Sequence, residues 1–470
     1  IVFSSRTFGI SGLVVTPELE QSFSSIDRIT LRSPKVIGFT PGAHSFNNMA
    51  IDAPGVRVLN PVAGQPSQPL SVALNIAGEL KLGNSFTDLG ACTQSGLLAC
   101  LGTGNNLAMA ANTVRFGSGT FRTYGYDSAV SITARSGATY EGKGALDVGG
   151  AALNFTTPFL VDRGTGAMPT DKSVQADLTL LTSNTLTISA PSGTPPIAPT
   201  TPLAPGARLA FGALSSPIQS VSIDNVLLRA TAGTIDIKAQ GNIALTGTTV
   251  LATPGYSQKF GEAADQVTVS AGGGTVALLS KTGGIDLGAA SRIAIGGMTG
   301  KAGTLKLIAA QGTVALDGTI DATAPDAGAS FTLDNGLGSF DFASFAASSS
   351  SAFTGDVAIR TGAGDLILNA GQSLKLASLR LTADGGAASI NGTIDTSGIN
   401  GGDIALYARD GVILGQTAVV DTHANGYADT DTRQASAGDI TVGVSGSGTI
   451  SVANGARIDM GARRLNDRLV

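Results

Sequence analysis

From about residue 220 onward the chain is a succession of short segments, each placing two apolar side chains at i and i+2 around a small or polar residue. This pattern constrains the fold more than any other feature. Thr234-Ile-Asp-Ile-Lys, Asn242-Ile-Ala-Leu-Thr, Thr275-Val-Ala-Leu-Leu, Gly284-Ile-Asp-Leu-Gly and Arg292-Ile-Ala-Ile all follow it. In an extended strand such a pair lies on one face, because side chains alternate. Helical spacing never persists, and the density of Gly, Thr, Ser and Val works against helix as well.

The segments recur in threes. Strands starting near Val276, Ile285 and Ile293 return near Leu305, Val314 and Ile320, an offset of roughly 29 residues. Further sets stand at Val357, Leu366 and Leu374, then at Ile404, Val412 and Val419, and a last one near Ile440, Ile450 and Ile458. Phrases echo between sets, as in Gly318-Thr-Ile-Asp-Ala and Gly392-Thr-Ile-Asp-Thr. The wider offsets imply insertions in the loops, one of them the low-complexity stretch Ala343–Ser351. Three strands per repeat at this period describe one coil of a parallel β-helix (β-solenoid), in which neighbouring coils bury each other's apolar face. A barrel or sandwich built from hairpins is the competing expectation, since Asp317-Gly318, Asn391-Gly392 and Asp410-Gly411 are hairpin-type dipeptides. They suit a coil corner equally well, whereas sandwich domains would repeat at about 80–100 residues.

Composition agrees. The 470 residues include 64 Gly, 18 Pro and no Trp, with 13% charged and 42% hydrophobic residues. That is too apolar for a disordered chain and suits a narrow core of small and β-branched side chains. A net charge of −5 argues against a nucleic-acid partner. The basic cluster Arg463, Arg464 and Arg468 contains Asp467 and reads as a solvated terminus. No apolar run reaches the length of a membrane-spanning helix. The chain starts at Ile1 with no signal peptide, which reads as a mature product or a segment of something longer.

Residues 1–220 are expected to be an irregular portion of the same architecture with long loops, and 221–470 its regular coils. Strand signals persist at Ile29-Thr-Leu, Val56-Arg-Val, Leu80-Lys-Leu and Leu178-Thr-Leu. The Pro-rich stretch Pro191–Pro205 cannot join a ladder. It is either a domain linker or, because similar strands flank it, an excursion from a continuous stack. Cys92 and Cys100 are the only cysteines. They form either a short intraloop disulfide in an oxidising compartment, the preferred reading, or two buried thiols.

Chemistry is sparse. Glu occurs five times and forms no cluster in sequence, and the Asp residues recur once per repeat, as solvent-facing strand ends do. His44 and His423 suggest no triad, and neither a nucleophile elbow nor a phosphate-binding loop is present. No enzyme activity and no cofactor are therefore expected. Gly117-Ser118-Gly119 and Gly446-Ser447-Gly448 read as flexible turns. Phe121, Tyr124 and Tyr126 are the one aromatic concentration, either a glycan-docking surface loop or edge packing of a coil. The stretch Asp421–Asp431 has the oxygen-rich spacing of a calcium loop, but it carries His423 at the third position and lacks a closing Glu. A polar surface loop is the expected reading.

The repeated Gly-Xaa-Ile-Xaa-Leu strands, Ala408-Arg-Asp-Gly-Val-Ile-Leu-Gly415 and Asn454-Gly-Ala-Arg-Ile-Asp-Met460 resemble the filamentous haemagglutinin family of large exoproteins. The resemblance covers about residues 220–470 well and the earlier part loosely. It implies a right-handed β-helix and two-partner export through an outer-membrane pore of a Gram-negative bacterium. It also implies an adhesive or structural role at the cell surface, with host or cell-surface glycans, proteins or copies of the chain itself as partners. The family's secretion motif is not matched, since Asn60-Pro61 lacks its following Asn/Asp-Gly. A carbohydrate-active β-helix enzyme is the alternative.

Overall fold

The computed structural model describes residues 2–4, 11–23, 25–59, 69–90, 104–166, 176–191, 199, 202–262, 265–349, 351–426 and 435–461. Almost all of its regular structure is strand, arranged as long parallel sheets, consistent with a parallel β-helix. The chain winds repeatedly through three stacks. The first is one parallel ladder of fifteen strands from Ser11–Val15 to Ile440–Val444. One winding visits Thr275–Ser280 in the first stack, Ile285–Leu287 in the second and Arg292–Ala294 in the third, then returns to the first at Thr304–Ala309. Its register pairs Val276 with Leu305, Ile285 with Val314 and Ile293 with Ile320, the triplets read from the sequence. The single antiparallel pairing among the described residues is the hairpin of Tyr256–Phe260 with Val267–Ala271. Parallel neighbours need a crossover between them, so a barrel or sandwich of hairpins does not describe this chain.

The interior is made of columns. Ile235, Val276, Leu305, Phe331, Val357 and Leu379 lie one above another in the first stack, all buried. Each such side chain contributes about 1.5–3 kcal/mol by leaving water. The i, i+2 pattern is thus a column pattern, its partners lying one winding away. Glycines open the strands where windings touch. A Cβ on Gly303 would lie 1.8 Å from the carbonyl oxygen of Gly274, so no larger residue fits there.

Two expectations need correction. The wide offset between Val357 and Ile404 is a complete further winding, Ser378–Ala383, Ala387–Ile390 and Thr393–Asp395, and not loop. The small Ala388 in the interior column disguises it. The low-complexity stretch expected as a loop is instead a helix, α1 here (Phe342–Ser349). Asp341 caps it, its Oδ1 accepting from Ser344 N at 2.9 Å. Phe342, Phe345 and Ala346 at helical spacing turn inward onto Phe331 and Phe353.

Before residue 220 the same stacks continue without a break. Arg208–Phe211 pairs directly with Thr234–Ala239 in the first stack. Asn106–Phe116 and Ala129–Tyr140 are long strands that each serve both the second and third stacks, with a register shift between Ala111 and Thr113. Near the start, the short helical turn Pro17–Gln21 lies against Gly42–Phe46. Glu20 accepts from Ser45 N at 2.5 Å and faces Nδ1 of the buried His44 at 2.8 Å. Of the Pro-rich stretch, residues 192–198, 200 and 201 lie outside the described residues; Pro202 O accepts from Gly164 N at 2.8 Å. Among the described residues no helix is long and apolar enough to cross a membrane.

Candidate functional site

The outer face of the third stack gathers charges that the sequence scatters. In Glu79–Gly83 and Asn106–Phe116, Leu80, Leu82, Val114 and Phe116 point inward and are buried, which turns Glu79, Lys81 and Arg115 outward. Register then sets Lys81 directly beside Arg115. Two like charges at that separation repel, and two carboxylates neutralise them. Lys81 Nζ donates to Glu141 Oε1 at 2.8 Å, Arg115 Nη2 donates to Glu79, and Arg115 Nη1 lies 3.8 Å from Glu141 Oε2. Arg28 joins from two windings away, 3.6 Å from Glu79. Arg115 Nε is buried without a hydrogen-bond partner.

Beside this lattice runs an open groove of about 440 Å³ lined by Lys81, Ser118, Glu141, Arg163 and Thr165 with intervening glycines. Gly142 is required there, because its φ is +67° and a Cβ would meet Ser118 Oγ at 2.2 Å. Gly117 and Ser118 of the triplet expected as a flexible turn line the groove. Cations, hydroxyls and backbone groups around an open polar trough suit a hydroxylated or anionic ligand better than an apolar one. Sequence reading missed this cluster because its members are far apart in the chain, Lys81 and Glu141 by 60 positions; the stacking of windings assembles them.

The aromatic cluster lies elsewhere. Phe121, Tyr124 and Tyr126 are 2%, 5% and 3% exposed, so their rings belong to the packed coil and present no face to solvent. Tyr124 OH donates to Gly90 O at 2.9 Å, and burial pushes its hydroxyl up to about 12. Burial likewise raises Tyr126, whose hydroxyl has no hydrogen-bond partner. Between the rings Arg122 bridges Asp88 and Asp147. Cys92 and Cys100 lie outside the described residues, as do Asp429, Asp431 and the arginines at 463, 464 and 468. Asp421 and His423 of the calcium-like stretch are brought together with Asp459 of the next winding, an assembly the local spacing did not indicate.

No family model, no curated protein and no solved structure matches this chain.

Proposed function

We propose that the chain is an extracellular rod, a right-handed parallel β-helix with a structural or adhesive role, of the filamentous haemagglutinin-like kind that its repeats resemble. The observation that carries this reading is the single parallel ladder of fifteen strands. At about 4.8 Å per strand such a ladder extends roughly 70 Å. A stack stabilised by nearest-neighbour contacts forms winding by winding. That suits a chain that leaves an outer-membrane pore unfolded and folds outside the cell. Surface glycans are the partner that best matches the polar groove. Copies of the chain are a further partner that the resemblance implies.

Glycan-array binding by the purified chain tests the adhesive reading. Saturable binding that falls at least tenfold in Arg163→Ala is expected; an array without any binding, together with a compact globule in small-angle scattering, would overturn it. The second reading, a carbohydrate-active enzyme, is favoured by one observation, the approach of Glu79 and Glu141 to Arg115 beside the groove. It requires sugar release from acidic polysaccharides that disappears in Glu141→Gln. Binding without release leaves the first reading standing.

A further inference from the structure

We propose that Asp421, His423 and Asp459 bind one divalent transition-metal ion of the zinc class. Asp421 ends the strand Val419–Asp421, and His423 follows two residues later. Asp459 ends Arg457–Asp459 on the next winding, in register with Asp421. One donor atom from each residue lies within 4.8 Å of the other two. All three side chains are largely covered, at 17%, 11% and 16% exposure in that order.

The set is more than a group of acids. In the third stack Asp395, Asp421 and Asp459 are in direct register, which stacks three carboxylates at about 4.8 Å intervals. Asp395 is neutralised by Lys375 Nζ at 2.7 Å and Asp459 by Arg457 Nη2 at 3.0 Å. Asp421, between them, has His423 as its basic neighbour among the described residues. The imidazole is buried, with Nε2 facing Asn425 Oδ1 at 2.8 Å and Nδ1 facing Asp421 Oδ1 at 2.5 Å. When Nε2–H donates to Asn425, the lone pair of Nδ1 points toward the carboxylates. A cation placed there satisfies both, and Asn425 orients the ring as outer partners of metal-bound histidines do.

One nitrogen and two carboxylate oxygens form a zinc-type donor set, with water as the fourth ligand. Calcium would call for six or more oxygens. Bond lengths of about 2.0–2.2 Å separate tetrahedral donors by roughly 3.3 Å, so the His423–Asp421 contact opens by less than about 1 Å on binding. The bound ion would tie two consecutive windings together.

Calorimetric titration of the full chain with zinc chloride tests the proposal, with circular dichroism confirming that each variant folds. We expect one equivalent bound, an affinity reduced at least tenfold in both His423→Gln and Asp459→Asn, and no change in His44→Gln or in Cys92→Ser/Cys100→Ser. Cobalt should compete and calcium should not. No saturable binding at about 100 μM zinc would overturn the proposal. So would binding that survives His423→Gln or vanishes with the two cysteines.

Discussion

Two of the interruptions in the regular path are resolved in opposite ways. Between Thr185–Ser189 and Arg208–Phe211 the described residues hold no strand of the third sheet, and the ladder reseals across the omission. Phe159–Asp162 pairs directly with Leu227–Arg229. The seam is polar. Asp162, fully buried, accepts from Arg229 Nε at 2.9 Å, Thr231 Oγ1 at 3.0 Å and Ala204 N at 2.8 Å, while Tyr140 OH donates to Arg229 O at 2.8 Å. Near residues 336–355 the chain omits strands of the second and third stacks, and the ladders do not reseal. Leu366–Leu368 and Ser373–Lys375 begin separate sheets. Here α1 stands in for the missing strands, and Phe331, Phe340, Phe342, Phe345 and Phe353 fill the space with ring centroids 5.1 to 6.4 Å apart. The difference follows from what each insert can bury. The Pro-rich stretch carries six prolines between residues 191 and 205 and cannot supply a ladder strand. The Phe-rich stretch has an apolar helical face, so it is taken in.

The sharpest way to break this comparison is Asp162→Ala. It strands the Arg229 guanidinium in the seam and is expected to cost about 3–5 kcal/mol in denaturant unfolding. Replacing both partners, Asp162→Leu with Arg229→Met, should recover a large part of that loss; no recovery would mean that the seam depends on the other hydrogen bonds. Phe331→Ala comes next, at roughly 3–4 kcal/mol, because Phe340, Phe345 and Phe353 lose their common neighbour. An effect below about 1 kcal/mol would show that α1 does not hold the gap. Asp341→Ala removes the cap of α1 and is expected to cost about 1 kcal/mol, with amide exchange quickening in α1 before it does in the flanking strands.

The smallest expected effect belongs to the exposed pairs of the third stack. Burial alone would raise the Asp395 carboxyl, but hydrogen bonds from Lys375 and Ser397 outweigh it and hold the group below its ordinary value; at Asp321, Arg292 and Thr323 do the same. A carboxyl lowered in the folded chain adds stability above the ordinary carboxylate range and loses it as the pH falls through the folded value. Stability should therefore decline below about pH 4, and Lys375→Met should flatten that decline slightly while changing neutral-pH stability by less than about 1 kcal/mol. An unchanged acid limb would show that Lys375 contributes nothing to it.

The sequence by itself determined the strands and their repeat. Apolar side chains at i and i+2 allow only one face to be buried, and triplets such as Val276, Ile285 and Ile293 recur because each must lie against its counterpart in the next winding. Where that face is built from smaller side chains, as at Ala388, a whole winding escaped notice. The helical face of Phe342, Phe345 and Ala346 was present in the sequence, but its low-complexity setting concealed it until Phe331 and Phe353 supplied the surface it covers. Of the candidate sites, only Asp421 and His423 stood out in the sequence; Asp459 and the charged groove did not. Lys81 meets Arg115, and Asp421 meets Asp459, only because parallel register places residues tens of positions apart on one column. Local pattern fixes which way a side chain faces. Its neighbours across the ladder depend on how many residues each winding spends in its loops, and only the tertiary structure decides that.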